Sequence, residues 1–519
     1  MNTLSLIQLL SCSLAFTLPQ AGATPPRVLD PRALIAVGTS GGVRLEVHRV
    51  HPTDTLQWTL LTRDQETLSQ GLVVLSSTRT VDSVRLDLEV PRYGLYLLSA
   101  RLSGDTSGLR TTVAFLPQAA SDPRFGLHMK SLSWIPPIGV GSVRLWDTYT
   151  MWADLEPTRG VYNWSRLDTF VADARRHGIT VLLTLGMTPR WASSEPTQPS
   201  PYGPRYLGAS ALPSDMADWE AFVQAVLTRY GHQLDAVEIW NEPNYAFLRG
   251  GAHAYAALLS HATAVTSRFQ GPTVLAPAVA GVNPVRFIDS VAQLAPDTKL
   301  DAFSQHFYPP GPSGPETLLA TLRHADSTLV QLRWPRSIWN TESGYWPAPR
   351  VAGWPMSVGQ IDSAAPREFA PNWVRGWPFR PVAEDSIAAF LPREYALLLG
   401  EGVKRVYWYQ YSGHDFAMTD STGAPSAAVV TYAALAARVT GLTQTSVLAD
   451  GPAVFAYRFS DGPRTVLVAW SVAPGGTSWE PPNARAYAIY DVWGNQIADQ
   501  ASPATAVRLG PAPVYLEAR

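Results

Sequence analysis

Val237-Glu238-Ile239-Trp240-Asn241-Glu242-Pro243-Asn244 is a short apolar run that breaks into polar residues at a proline. A run this short, closed by Pro, reads as a buried strand and not as a helix. Side chains alternate along a strand, so Asn241 and Glu242 can share one face only if the chain leaves regular geometry there. Working outward, seven comparable runs surround this one: Phe125 to His128, Val143 to Trp146, Val181 to Leu185, Val274 to Ala276, Ala302 to His306, Ser337 to Asn340 and Val406 to Tyr409. Between several of them, Leu167 to His177, Trp219 to Tyr230 and Tyr255 to Phe269 place apolar residues at helical spacing. Eight such units over residues 120–441 predict a (β/α)8 TIM barrel, whose chemistry sits on loops at the C-terminal strand ends. The longest of these loops, Ser343 to Pro392, holds Trp346, Trp354, Trp373 and Trp377, which either roof a cleft or pack back on the barrel.

The flanks read differently. Residues 24–119 alternate short β-type runs with turns (Val43 to Val47, Gln57 to Leu61, Val84 to Leu88, Leu95 to Leu98), which predicts an N-terminal β-sandwich domain. Residues 442–519 open with the hairpin Val454 to Phe459 and Val466 to Trp470, and predict a small C-terminal β-domain that leans on its neighbours for a core. In residues 1–23 the apolar stretch Leu4 to Leu18 and the small residues Ala21-Gly22-Ala23 predict a secretory signal peptide and an exported protein. A second reading makes Leu9-Leu10-Ser11-Cys12 a lipid-attachment box. Cys12 is the only cysteine, so cleavage after Ala23 leaves no thiol for disulfides or metal. No later segment has the length of a membrane span, so no integral membrane segment is expected in the mature chain.

Among 519 residues, 40 basic and 42 acidic side chains leave a net charge of −2, unlike the basic excess of a nucleic-acid binder. The 18 Trp and 20 Tyr instead suit stacking on sugar faces. Glu242 ends the fourth barrel strand and Glu342 the seventh, in Trp339-Asn340-Thr341-Glu342-Ser343. One such Glu is commonly a surface residue; two at matched strand ends point to catalysis. Paired carboxylates across a barrel mouth suit glycoside hydrolysis. Neither a His-Glu-x-x-His zinc motif, a Gly-x-Ser-x-Gly elbow nor a phosphate loop is present, so neither metal nor cofactor is implied.

These motifs resemble the clan A retaining glycoside hydrolases. Trp240-Asn241-Glu242-Pro243-Asn244, Trp152-Ala153-Asp154-Leu155-Glu156-Pro157 with Gly160-Val161-Tyr162-Asn163-Trp164, and Thr188-Pro189-Arg190-Trp191-Ala192 are most similar to family 39. The resemblance implies that Glu242 is the acid/base and Glu342 the nucleophile. It implies that His306 and Tyr308 hydrogen-bond the nucleophile and the sugar, and that Asn241 binds the hydroxyl next to the reacting carbon. A buried structural role is the other reading of His306 and Tyr308. The pair needs Glu242 protonated, and the charge of Glu342 is expected to raise its pKa. Arg144 is expected to pair with Glu342 and keep it ionised, or else to be a structural ion pair. Trp408 is the candidate stacking platform, with Trp146 and Trp191 competing, and His128 a further hydroxyl contact. Glu238 lies about 13 Å deeper than Glu242 at roughly 3.3 Å per residue and should fill an interior layer; Glu156, beside Pro157, should be structural.

The expected activity is cleavage of β-glycosidic bonds in an extracellular poly- or oligosaccharide. Exo-action of the β-xylosidase kind is one alternative, and a polysaccharide-binding protein that has lost turnover is another. In a third, the N-terminal β-domain is an adhesion module.

Overall fold

The computed structural model describes residues 24–48, 54–75, 81–103, 105, 107–281, 284–350, 355, 380–413, 416–482, 486–500 and 506–519. The signal-peptide reading, Cys12 and Trp354, Trp373 and Trp377 lie outside the described residues.

Eight strands occupy the N-terminal part: β1 (Arg27–Val28), β2 (Ile35–Val37), β3 (Ser40–His48), β4 (Thr55–Leu61), β5 (Thr67–Val74), β6 (Val81–Glu89), β7 (Gly94–Leu102) and β8 (Leu109–Leu116). They form a three-stranded sheet in the order β1-β3-β6 and a five-stranded sheet in the order β2-β8-β7-β4-β5. Alternation in β6, where Val84, Leu86 and Leu88 are buried and their neighbours are not, turns one face inward. These side chains meet Leu56, Leu60 and Leu98 of the other sheet in one core.

The barrel closes through β9 (Asp122–His128), β10 (Val140–Leu145), β11 (Thr180–Leu185), β12 (Ala236–Ile239), β13 (Thr273–Ala280), β14 (Ala302–His306), β15 (Ile338–Ser343) and β16 (Val406–Trp408). Each of the eight runs read from sequence is one of these parallel strands. Their near-continuous apolar character follows from burial on both faces. Toward the N-terminal strand ends, Leu182, Ala236, Leu275, Ala302, Trp339 and Tyr407 fill the interior. Gly126, paired with Tyr407 across β9 and β16, makes room for that ring: a Cβ there would lie 2.3 Å from it. Helices Ser165–His177, Met216–Tyr230, Gly251–Thr266, Val285–Leu294, Leu318–Leu332, Glu384–Gly400 and Ala427–Val439 pack outside. Asp215 caps the second of these by accepting from the Ala217 N–H, and Gly178 closes the first at φ +67.

The loop expected to run from Ser343 to Pro392 is shorter than its sequence suggests. Ser343 ends β15, and Pro392 lies inside the helix Glu384–Gly400. Trp346 packs back, buried against Phe416.

The C-terminal part forms a six-stranded sheet from Gln444–Asp450, Val454–Ser460, Thr465–Ser471, Val514–Ala518, Tyr487–Tyr490 and Gln496–Gln500, in that order, and a two-stranded sheet. Tyr457, Phe459, Trp470 and Tyr515 join the barrel's own core. Among the described residues no helix is long and apolar enough to cross a membrane.

Candidate active site

At the C-terminal end of β12 the chain does leave strand geometry. Trp240 and Glu242 both take left-handed conformations, φ +69 and +41. Non-glycine residues held there cost about 1–3 kcal/mol each and concentrate at functional sites. The Trp240 N–H donates to Leu185 O at 2.7 Å and the Glu242 N–H to Ala278 O at 3.0 Å. Trp240 turns out against Trp219, and Asn241 and Glu242 both face the cavity. Glu342 comes to the same cavity from the end of β15. A carboxylate oxygen of each lies within 4.8 Å of the other, with a His306 ring nitrogen in the same cluster.

Arg144, wholly buried on β10, organises the floor. Its Nε donates to Glu238 Oε2 at 2.8 Å, one terminal nitrogen to Glu342 Oε2 at 2.8 Å and the other to Asn241 Oδ1 at 2.7 Å. Arg144 therefore serves as a partner of Glu342 and as an interior ion pair, which were the two readings open from sequence. Glu238 is confined to this interior layer, where it also accepts from Thr184. Tyr308 donates to Glu342 Oε1 at 2.7 Å. His306 departs from expectation: its Nδ1 bonds Glu242 Oε1 at 2.8 Å and stands 4.0 Å from Glu342. Its side chain projects from the last residue of β14, whose pairing shifts register at this point, and this aims it at β12.

The electrostatics also differ in cause from the sequence expectation. Glu242 is pushed up to about 7 chiefly by burial, against a lowering pull from Arg144, and its mutual repulsion with Glu342 raises the latter. Burial raises Glu342 as well, and outweighs the lowering by His306, Arg144 and the Tyr308 hydroxyl. The donors nevertheless separate the pair. Glu342 accepts from a guanidinium and a phenol, whereas Glu242 meets only an imidazole that burial brings down to about 4 and so keeps neutral. Glu242, His306 and Glu342 are spaced closely enough to ligate a cation, but Arg144 already supplies the positive charge beside Glu342.

The cavity, about 150 Å3, is lined by the polar Asp147, Asn241, Glu242 and Glu342 and by the aromatic Trp146, Tyr202, Phe247, Tyr308, Tyr409 and Phe416. Five residues proposed from sequence are not in its lining: Arg144 and His306, which act on it through the carboxylates they hold, and three that are engaged elsewhere. Trp408 is buried in the core against Tyr345, because Tyr407 and Tyr409 take the inward positions and alternation sends Trp408 out. Trp191 donates to Glu156 O at 2.7 Å, meets Trp152 edge-on and lies beneath the Arg159 guanidinium. His128 is buried, its Nε2 on Thr341 O at 3.0 Å and its ring edge-on to Tyr409. Glu156 accepts from Trp152 Nε1 and the Gly160 N–H, the structural role expected of it. Sequence reasoning missed Asp147 and Tyr409, although the inward parity of Tyr407 pointed to the latter. Tyr202, Phe247 and Phe416 come from irregular loops that carry no periodic signal.

Among solved structures, a family 39 glycoside hydrolase from the gut symbiont Bacteroides cellulosilyticus WH2 superimposes with TM-score 0.70 at 17% identity, over 95% of this chain and 100% of that one. The chain has the fold of a family 39 glycoside hydrolase. The family 39 enzyme from Xanthomonas axonopodis pv. citri matches at TM-score 0.50 and 15% identity, over 77% of this chain and 95% of its own. A conserved exported protein from Bacteroides fragilis matches at 0.52 and 11%, over 77% and 97%. The glycoside hydrolase 42 family model, described as beta-galactosidase, matches residues 131–199. No curated protein matches. The barrel, its added β-sheets and the clan A likeness are thus those read from the sequence.

Proposed function

We propose that this chain is an exported retaining glycoside hydrolase that cleaves β-glycosidic bonds in an extracellular poly- or oligosaccharide. The observation that carries the reading is the approach of the two carboxylates at opposed strand ends, within 4.8 Å. Retaining pairs stand about 5–5.5 Å apart, whereas inverting pairs leave roughly 6.5–9.5 Å for a water. Export rests on the apolar stretch Leu4 to Leu18 and the small residues after it.

In this reading Glu342 attacks the anomeric carbon while Glu242 gives its proton to the departing oxygen. The glycosidic bond breaks and a glycosyl ester forms on Glu342. Glu242, now a carboxylate, takes a proton from water, which attacks the same carbon and releases Glu342. Two inversions retain the configuration. Hydrogen bonds from Arg144 and Tyr308 stabilise Glu342 both as the poised anion and as the group that leaves in the second step. With its Oδ1 held by Arg144, Asn241 has its NH2 left for the hydroxyl beside the reacting carbon.

A second reading, exo-action on a chain end, is favoured by the cavity's size, which is below the roughly 300–1,000 Å3 of sites for larger ligands. The test incubates wild type, Glu242→Gln and Glu342→Gln with plant and bacterial polysaccharides and aryl β-glycosides, following reducing ends and product lengths. Hydrolysis lost in both variants supports the pair, and product lengths decide endo against exo. Glycan binding without cleavage anywhere on the panel would replace the enzyme with a binding protein.

A further inference from the structure

The cavity carries a third carboxylate that the two-glutamate reaction does not use. Asp147 follows β10 and stands in the lining with Glu242 and Glu342. Its Oδ2 accepts from Lys130 Nζ at 2.5 Å and from the Tyr409 hydroxyl at 2.8 Å. Both donors meet one oxygen, and Oδ1 has no hydrogen bond among the described residues. Burial opposes ionisation of Asp147, but Lys130, His128 and the Tyr409 hydroxyl together outweigh it and hold the carboxyl below its ordinary value. Lys130, one of only three lysines in the chain, is committed to this pair. The cation beneath, Arg144, is fully buried with its nitrogens taken by Glu238, Glu342 and Asn241.

Among the described residues, then, the cavity presents three carboxyl groups and no uncommitted cation, with aromatic rings for the rest of its wall. A ring bearing a carboxylate or sulfate would set another negative charge against Asp147 and Glu342 in a poorly solvated space, where repulsion is strong. A ring hydroxyl would instead donate to the open oxygen of Asp147 in a charge-assisted hydrogen bond. We propose that Asp147 is a specificity-determining residue that accepts from a hydroxyl of the ring at the reaction centre, and that this ring is an uncharged sugar and not a uronic acid or sulfated one. The proposal deepens the hydrolase reading and rests on it for the position of the ring.

The test compares wild type and Asp147→Asn on nitrophenyl β-glucoside, β-galactoside, β-xyloside and β-glucuronide, with thermal melts to show that both are folded. In parallel, calorimetry measures binding of the four methyl β-glycosides to Glu342→Gln. Wild type should favour its best neutral glycoside over the glucuronide by about 100-fold or more in kcat/KM, and Asp147→Asn should lower the neutral value about 10–100-fold while narrowing that ratio about tenfold. A merely structural role for Asp147 would lower both substrates together and leave the ratio unmoved, which overturns the proposal. A glucuronide cleaved as well as the best neutral glycoside overturns it too. If wild type cleaves none of the four while Glu342→Gln binds neutral glycosides and rejects the glucuronide, the hydrolase reading fails and the neutral-sugar assignment stands; preferential binding of the glucuronide sinks the assignment.

Discussion

Glu242 shows how one buried side chain links stability to function. Its folded pKa of about 7 lies above the ordinary 4.5, so the fold favours the protonated form. That contribution is fully present below pH 4.5 and is lost as pH rises through 7, above which the charged carboxylate sits desolvated. The Glu242→Gln variant should therefore gain stability over wild type across this window, by up to about 3 kcal/mol at pH 8. Thermal or denaturant unfolding at pH 4 and pH 8 reads the difference; an equal gap at both pH values contradicts the burial argument. The same proton sets the alkaline limb of wild-type activity, expected near pH 7 in a kcat/KM profile, which reports the free enzyme. Tyr308→Phe removes one of the donors on Glu342 and should lower kcat about 10–100-fold with a smaller change in KM, checked by steady-state kinetics. At this scale the sequence was legible wherever a residue sat at a strand end beside a breaker, as Glu242 does before Pro243. It was opaque where a partner depended on the third dimension, as with His306 choosing Glu242 over Glu342.

At the scale of elements, β10, β12 and β15 are joined through Arg144, and its loss would leave Glu238 charged in the barrel interior with the Thr184 hydroxyl but without its cation. Arg144→Met should cost roughly 3–5 kcal/mol, and adding Glu238→Gln should restore part of it, as a double-mutant cycle in urea would show. Trp408 tests the parity argument from the other side. Trp408→Phe should lower the melting temperature and leave KM unchanged, because the ring packs between barrel and helix layer, whereas a sugar platform would raise KM several-fold. The eight strands were readable because burial on both faces makes each an apolar run. The loop end placed at Pro392 was misread for a physical reason. Proline normally breaks a helix, but here it lies in a helix whose next residue, Arg393, pairs with Glu316 and whose apolar side chains are buried.

For the whole molecule, the two flanking β-regions are attached unequally. The C-terminal sheet contributes Tyr457, Phe459, Trp470 and Tyr515 to the barrel's core, and Trp470 Nε1 donates to Glu316 at 2.6 Å. The N-terminal sheets have mostly their own core and reach the rest through Ile35, Leu95, Ala114 and Leu116, through Thr112, which donates to Pro425 O and accepts from Arg350, through the Arg63–Asp385 ion pair and through backbone hydrogen bonds of Tyr93 with the Asn495 side chain. Removing residues 442–519 should abolish soluble expression, while removing residues 24–119 should leave a folded, less stable barrel; soluble yield and melting temperature distinguish the two. If the shorter protein keeps activity on soluble substrate but is no longer retained on insoluble glycan, the N-terminal part is a binding module. The boundaries of these regions could be sensed from sequence as changes in period, but not their shared core, because nothing local in Trp470 or Tyr515 states which surface covers them.

The two-carboxylate account makes a stereochemical commitment, and proton NMR of the first product released from an aryl β-glycoside tests it most directly. The account predicts that the β-anomer appears first and mutarotates later. Initial release of the α-anomer would mean single displacement by water and would contradict the assignment of Glu342 as nucleophile.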